Sequence, residues 1–237
     1  MTAGGEGELR YEIKMACQEH AYHAVRAHIT GLPVPVHTLF PARRVQSIYM
    51  DTHFATALKE NLAGISERRK LRFRWYGDQE ERVTGHLELK VRTNELGYKK
   101  RLAIEHALQI EGRPKWLFSR SLAAHATPYW RQQIEMGREP VQWIRYDREY
   151  FSSHGGLVRI TIDRHLEAFD LRSMPVLSAR FPTPVPRILI IEVKAPKEHA
   201  RLVREVTSCL RLKIDKCSKF AIASDCRDRP SVSVFPM

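Results

Sequence analysis

The chain has 237 residues, with Lys+Arg 39 against Asp+Glu 27, a formal net charge of +12 at pH 7 and 43% hydrophobic residues. That apolar share suffices for a packed core and excludes a disordered or fibrous chain, while the charge excess calls for a polyanionic partner: nucleic acid, an acidic membrane surface or a phosphorylated ligand. The longest strongly apolar stretch, Ile188 to Ile191, falls far short of the roughly 20 residues of a bilayer span, and the Met1 end has no apolar signal segment, so a cytoplasmic protein without a transmembrane segment is expected.

Residues 1–8 read as a loose terminus, and the first strand follows, with Arg10, Glu12 and Lys14 on one face and Tyr11, Ile13 and Met15 on the other. Cys17, Cys209, Cys217 and Cys226 form no CxxC pair and are expected to be free thiols rather than zinc ligands. Gln18–Ile29 predicts a helix, with Ala21, Val25 and Ile29 in one stripe and a stop at Gly31 and Pro33. In Val45–Asp51 the residues Ser47, Tyr49 and Asp51 lie opposite Ile48 and Met50, and a helix over Phe54–Leu62 follows Thr52, a possible N-cap. Tyr49, Asp51 and Thr52 are expected to close this corner rather than to touch a ligand.

Arg68–Trp75 is the most informative segment. Arg68, Lys70, Arg72 and Arg74 are all cationic, and Leu71, Phe73 and Trp75 form the opposite face; Arg69 stands out of pattern and reads as a surface salt-bridge residue. In Leu87–Val91, Glu88 and Lys90 oppose Leu87, Leu89 and Val91. Helices are predicted over Lys115–Ala124 and Tyr129–Met136, and Trp116, Trp130 and Trp143 are expected to pack. Val158–Asp163 sets Arg159, Thr161 and Asp163 against Val158, Ile160 and Ile162; Leu189–Lys194 sets Glu192 and Lys194 against Leu189, Ile191 and Val193. Pro196 opens a helix with a stripe of Leu202, Val203, Val206 and Leu210. The reading is α+β: about eight strands and four or five helices in one domain over 9–224, with 225–237 a second loose terminus. The His20/His23 pair is expected to be structural or solvated.

One basic strand face is usually solvated or a nucleic-acid patch. Here the charged face recurs strand after strand and mixes cations with isolated carboxylates, Glu12, Glu88, Asp163 and Glu192. If the apolar faces lie under helices and the charged faces curl inward, the result is a hydrophilic tunnel. Unpaired buried charges cost several kcal/mol each, so such a tunnel must hold water and a strongly anionic ligand. A phosphate chain matches the Arg forks and Lys points, and one or two carboxylates can hold a divalent cation. Nucleic acid is disfavoured, because Phe73 and Trp75 lie opposite the cations rather than among them.

The segments Arg10-Tyr-Glu-Ile-Lys14, Ser47-Ile-Tyr-Met-Asp-Thr52, Arg68-Arg-Lys-Leu-Arg-Phe-Arg-Trp-Tyr-Gly77, Leu87-Glu-Leu-Lys90, Lys99-Lys-Arg101, Val158-Arg-Ile-Thr-Ile-Asp163, Ile191-Glu-Val-Lys194 and Lys216-Cys-Ser-Lys-Phe220 follow one another in order. In this the chain resembles the VTC (vacuolar transporter chaperone) catalytic domain family of polyphosphate polymerases, within the CYTH or triphosphate tunnel superfamily, over residues 9 to about 224. The resemblance implies an eight-stranded antiparallel tunnel with helices outside, and transfer of the terminal phosphoryl of ATP to inorganic polyphosphate with Mn²⁺ or Mg²⁺. It implies catalytic roles for Arg72, Arg74, Arg159 and Lys219, and phosphate binding by Arg10, Lys90, Lys99, Arg148 and Lys216; Lys14, Arg68, Lys70, Arg101 and Lys194, in the same charged segments, are expected to bind phosphate with them. Glu192 matches the metal-binding glutamate, with Glu88 and Glu12 as further candidates. Arg10 stands where fungal members have lysine. Hydrolytic relatives begin Glu-x-Glu-x-Lys against Arg10-x-Glu12-x-Lys14 here, so one carboxylate of the tripolyphosphatase pattern is missing. The alternatives are a tripolyphosphatase or nucleoside triphosphatase of the same tunnel, using Glu12 and Glu192 to activate water, and a non-enzymatic polyanion-binding module. Eukaryotic members carry membrane segments that this chain lacks, so any membrane coupling would need a separate partner.

Overall fold

The computed structural model describes residues 10–93, 96–136, 138–215 and 217–228, with side chains for all of these except 93, 96–97 and 225–228. Eight strands are described: β1 (Arg10–Gln18), β2 (Val36–Thr52), β3 (Glu67–Tyr76), β4 (Arg82–Thr93), β5 (Leu96–Gln109), β6 (Arg138–Ser153), β7 (Val158–Asp170) and β8 (Ile188–Pro196). They pair antiparallel in the ring order β1-β5-β4-β3-β2-β6-β7-β8. β8 returns to β1 along a full ladder from Arg10↔Pro196 to Gln18↔Ile188, whereas β1 meets β5 at the single pair Arg10↔Gly97. The wall is therefore continuous except along the β1–β5 seam, which is joined at one point.

The period-two alternation decides which way each side chain points. Leu71, Phe73, Trp75, Leu87, Leu89 and Val91 are all buried in one outer cluster with Phe118, Leu122, Trp130 and Ile134. Those last four come from α3 (Lys115–Ala124) and α4 (Pro128–Glu135). On the other flank Ile13, Met15, Ile160, Ile162, Ile191 and Val193 pack with Val25 and Ile29 of α1 (Tyr22–Thr30) and with Val203, Val206 and Leu210 of α5 (Ala200–Leu210). Burying a Leu, Ile or Phe side chain contributes about 1.5–3 kcal/mol, so these two outer layers supply much of the hydrophobic stabilisation. The inward faces are divided: Val45, Tyr49, Ile144 and Tyr146 pack with Phe220 and Ala223, and Ala16, Ile188 and Ile190 with Cys217, while the rest is left to the charged faces. Position 85 on β4 admits only glycine: a Cβ there would stand 2.4 Å from the Arg74 carbonyl oxygen of β3.

Several sequence expectations change in detail. Thr52 does not cap α2 (Thr56–Leu62) alone; the Asp51 carboxylate accepts from Ala57 N (2.9 Å) and Leu58 N (3.0 Å), and Thr52 Oγ1 accepts from Thr56 N (3.2 Å). Trp130 and Trp143 are buried, but Trp116 is 64% exposed and packs little, because it lies on the outer side of α3. Arg69 is exposed and pairs with Glu67 at 3.1 Å, as its place out of pattern implies. His20 and His23 are exposed, and Cys17, Cys209 and Cys217 are free thiols. A sixth helix, α6 (Lys219–Asp228), runs past residue 224, and residues 1–8 and 229–237 lie outside the described residues. Among the described residues no helix is long and apolar enough to cross a membrane.

Candidate active site

The inward faces enclose a cavity of about 660 Å³ whose lining contains fourteen Lys and Arg side chains against two carboxylates, Glu12 and Glu192. Of the sequence-predicted residues, Arg10, Glu12, Lys14, Lys70, Arg72, Arg74, Lys90, Lys99, Arg101, Arg148, Arg159, Glu192, Lys194 and Lys219 all line it. Arg68 does not: its guanidinium turns back to the Asn61 carbonyl at 3.5 Å, beyond the cavity wall. Lys216 lies outside the described residues.

Glu88 is 1% exposed and sits behind the lining rather than in it. Its Oε2 accepts Arg72 Nε (2.9 Å) and Nη2 (2.7 Å), and its Oε1 accepts Lys99 Nζ (2.9 Å) and pairs with Arg101 Nη2 (3.0 Å). Burial pushes this carboxyl up, but Arg72, Arg74 and Lys99 outweigh burial and hold it far below the carboxylate range. Glu88 orients the arginines from behind the lining and, unlike Glu192 and Glu12, offers no oxygen to the cavity, where the metal role expected of it would place one. Asp163 does the same on the far wall, taking Arg148 through Nε (2.5 Å) and Nη2 (2.6 Å) and also Lys219. Arg74 is locked from another side, with Nε donating to Ser47 Oγ (3.1 Å) and Nη2 to Tyr146 Oη (3.0 Å). These forks are held before any ligand arrives, which reduces the ordering a bound anion must impose.

Glu12 and Glu192 are joined by two shared lysines. Lys14 Nζ lies 3.2 Å from Glu12 and 3.0 Å from Glu192, and Lys194 Nζ lies 3.6 Å and 2.5 Å from them. Burial raises both carboxyls, yet the surrounding lysines hold both well below the usual range. Among the described residues no group of three or more His, Cys, Asp or Glu is placed to hold a metal ion. Hard divalent ions nevertheless bind through one or two carboxylates with substrate phosphates completing the shell. Glu192 and Glu12 fit that donor chemistry once phosphate oxygens are present, and Glu88 does not.

Several lysines carry the opposite strain. Burial, with Lys14 and Lys90 beside it, pushes Lys70 down to about 6. Burial also pushes Lys99 down to about 7 and Lys90 to about 8, even though Glu88 supports the first and Glu12 the second. Lys70 Nζ donates to Ser218 Oγ at 2.9 Å, just before the first turn of α6. The Arg159 guanidinium makes no hydrogen bond or ion pair among the described residues, and Thr161 Oγ1 on the same strand face is buried without a partner. Both line the cavity, so a guanidinium and a hydroxyl stand ready to donate to an anion.

The lining also holds residues that sequence reasoning did not assign: Phe40, Arg43, Tyr49, Tyr76, Arg92, Tyr98, Tyr146, Tyr150, Thr161 and Ser218. Tyr49 stood on the predicted inward face, and that alternation was its signal. Its hydroxyl accepts Arg72 Nη1 at 2.9 Å, and its ring stacks on Phe220 with centroids 4.9 Å apart. Phe40 and Arg43 had no such signal, because register shifts in β2 between Thr38 and Phe40 and between Phe40 and Arg43 break the alternation.

A family model described as the VTC domain matches residues 9–226. No curated protein matches the chain. Among solved structures, a Vibrio parahaemolyticus protein assigned as an adenylate cyclase is 14% identical, with a TM-score of 0.56 over 92% of this chain and 99% of that one, a likeness of fold alone. The Schizosaccharomyces pombe Mediator head module aligns at 7% identity and TM-score 0.44, over 87% of this chain and 97% of that one. The S. pombe Pct1 RNA triphosphatase aligns at 9% identity and TM-score 0.26, over 94% and 82%. At those two scores neither likeness bears on the fold.

Proposed function

The chain belongs to the VTC domain family, and from that membership we propose that it is an ATP-dependent polyphosphate polymerase, moving the terminal phosphoryl group of ATP onto a growing inorganic polyphosphate chain inside the tunnel. The observation that carries the reading is the cavity itself, about 660 Å³ of space walled by fourteen cations that are mostly fixed by buried carboxylates. Such a wall suits a ligand with a negative charge on every unit and acceptor oxygens on every side.

Phosphoryl transfer asks the protein for positioning and charge neutralisation rather than covalent chemistry. In this reading Arg72, Arg74 and Arg159 grip the transferring and bridging oxygens. Arg10, Lys14, Lys70, Lys90, Lys99, Arg101, Arg148, Lys194 and Lys216 hold the triphosphate and the acceptor chain, and Lys219 guards one end. Glu192, helped by Glu12, would hold Mn²⁺ or Mg²⁺, which when bound supplies neutralisation of the phosphate charge. Hydrolysis in the same tunnel is less well supported. It needs a carboxylate free to take a proton from water, whereas Glu12 and Glu192 are each bound by lysines and held far below the pH at which they would act as bases. ATP and polyphosphate are the proposed ligands, nucleic acid is not, and the proposed location is cytoplasmic. The test is chain growth from ATP, resolved by polyphosphate gel electrophoresis.

A further inference from the structure

Along β3 the inward residues run Arg72, Arg74, Tyr76, and along β6 they run Tyr146, Arg148, Tyr150, so on both strands the cations give way to an aromatic ring. The register shifts in β2 bring Phe40 and Arg43 beside those rings, with Phe40 paired to Tyr150 and Arg43 to Arg148 across the ladder. The Arg43 guanidinium stands over three rings, 4.2 Å from the centroid of Tyr76, 5.0 Å from Tyr150 and 5.4 Å from Phe40. Phe40 and Tyr150 meet edge to face at 5.6 Å. Phe40 remains 43% exposed and Tyr76 39% exposed, although both line the cavity.

A bare phosphate chain has no apolar surface to offer these rings, and leaving two large aromatics half in water at the edge of a charged cavity gains nothing for folding. A ligand with a phosphate tail and a flat π face at its head would use both parts. Nucleobases stack on aromatic rings and on guanidinium planes, and each such stack contributes about 1–3 kcal/mol. Tyr76 lies two residues, roughly 7 Å, beyond Arg74 along the strand, so a base held there leaves its phosphates directed at the fixed arginines.

We propose that Phe40, Arg43, Tyr76 and Tyr150 form a nucleobase platform at one end of the tunnel, which holds the base of the donor while the arginines take its phosphates. The inference rests on the triphosphate-binding reading of the cavity and adds a base-recognition site to it.

The test compares ATP with inorganic tripolyphosphate, which carries the same phosphates and no base, by isothermal titration calorimetry on the full chain in one Mn²⁺ buffer. Tyr76→Ala and Phe40→Ala are expected to weaken ATP about tenfold and tripolyphosphate by no more than about twofold, with thermal midpoints unchanged. Arg43→Lys, which keeps the charge and loses the flat face, is expected to show the same ATP-selective loss and stands in should an aromatic variant fail to fold. Equal losses for both ligands, or unchanged ATP affinity, would overturn the platform and leave the tunnel reading standing. A wild-type chain that binds neither ligand would overturn the tunnel reading, and the platform with it.

Discussion

One oxygen of the buried Glu88 carboxylate, Oε2, takes both Nε and Nη2 of Arg72, at 2.9 and 2.7 Å. The other oxygen holds Lys99 and Arg101, so three cationic side chains are tied through a single residue that never reaches the cavity surface. This pairing makes Glu88 a positioning residue, with a signature distinct from that of a ligand-binding one.

Glu88→Gln should therefore lower stability, by about 2 kcal/mol or more, because it leaves buried cations without their counter-charge. The loss should shrink on adding tripolyphosphate, which supplies the missing negative charge from the cavity side. Thermal melting with and without tripolyphosphate checks this, and a variant as stable as wild type would contradict the role.

Arg74 and Arg69 lie on opposite faces of β3, one locked to Ser47 and Tyr146 and the other on the surface beside Glu67. Arg74→Ala should cost at least about 10²-fold in turnover, while Arg69→Ala should be nearly silent. Steady-state rates on variants shown by melting to be folded decide the matter, and equal losses at the two positions would refute the inward and outward assignment.

That assignment was legible in the sequence because β1, β3, β4, β7 and β8 alternate without interruption through the cavity. Arg10, Lys14, Lys70, Arg72, Lys90, Arg159 and Lys194 all line the cavity on the face that the alternation predicts. The pattern overreached at Arg68, where the strand has already passed the cavity, and at Glu88, whose parity is right but whose carboxylate is spent on neighbours. It was blind in β6, where a register shift between Arg145 and Asp147 and burial on both faces hide the period. In β5 the three consecutive cations divide by parity: Lys99 and Arg101 reach Glu88, and Lys100 lies over the Tyr129 ring at 4.5 Å.

Lys70 and Lys99 are pushed down to about 6 and about 7 in the empty tunnel, the first by burial and neighbouring cations and the second by burial against the support of Glu88. A bound polyanion favours their charged forms and raises both values. Between pH about 6 and the ordinary lysine range, binding must then take up protons, and affinity for tripolyphosphate must fall as pH rises. Calorimetry at pH 7.5 in buffers of different ionisation enthalpy should report proton uptake that decreases in Lys70→Gln. Identical uptake in wild type and variant would count against it.

Glu192→Gln tests the proposed metal residue. It removes a negative charge from between Lys14 and Lys194, so polyphosphate should bind as well as before or more tightly, while Mn²⁺-dependent turnover should be lost. Retained turnover with unchanged Mn²⁺ dependence, measured by metal titration, would move the ion to other ligands.

The most direct test of the central claim is the length of the product made by the wild-type chain from ATP, Mn²⁺ and a short polyphosphate primer, separated by gel electrophoresis alongside a measurement of free phosphate. The proposed polymerase makes chains far longer than three phosphates, with ADP formed in step with chain growth. Free phosphate released from ATP or tripolyphosphate, with no chain extension under the same conditions, would contradict the polymerase and favour a hydrolase in the same tunnel.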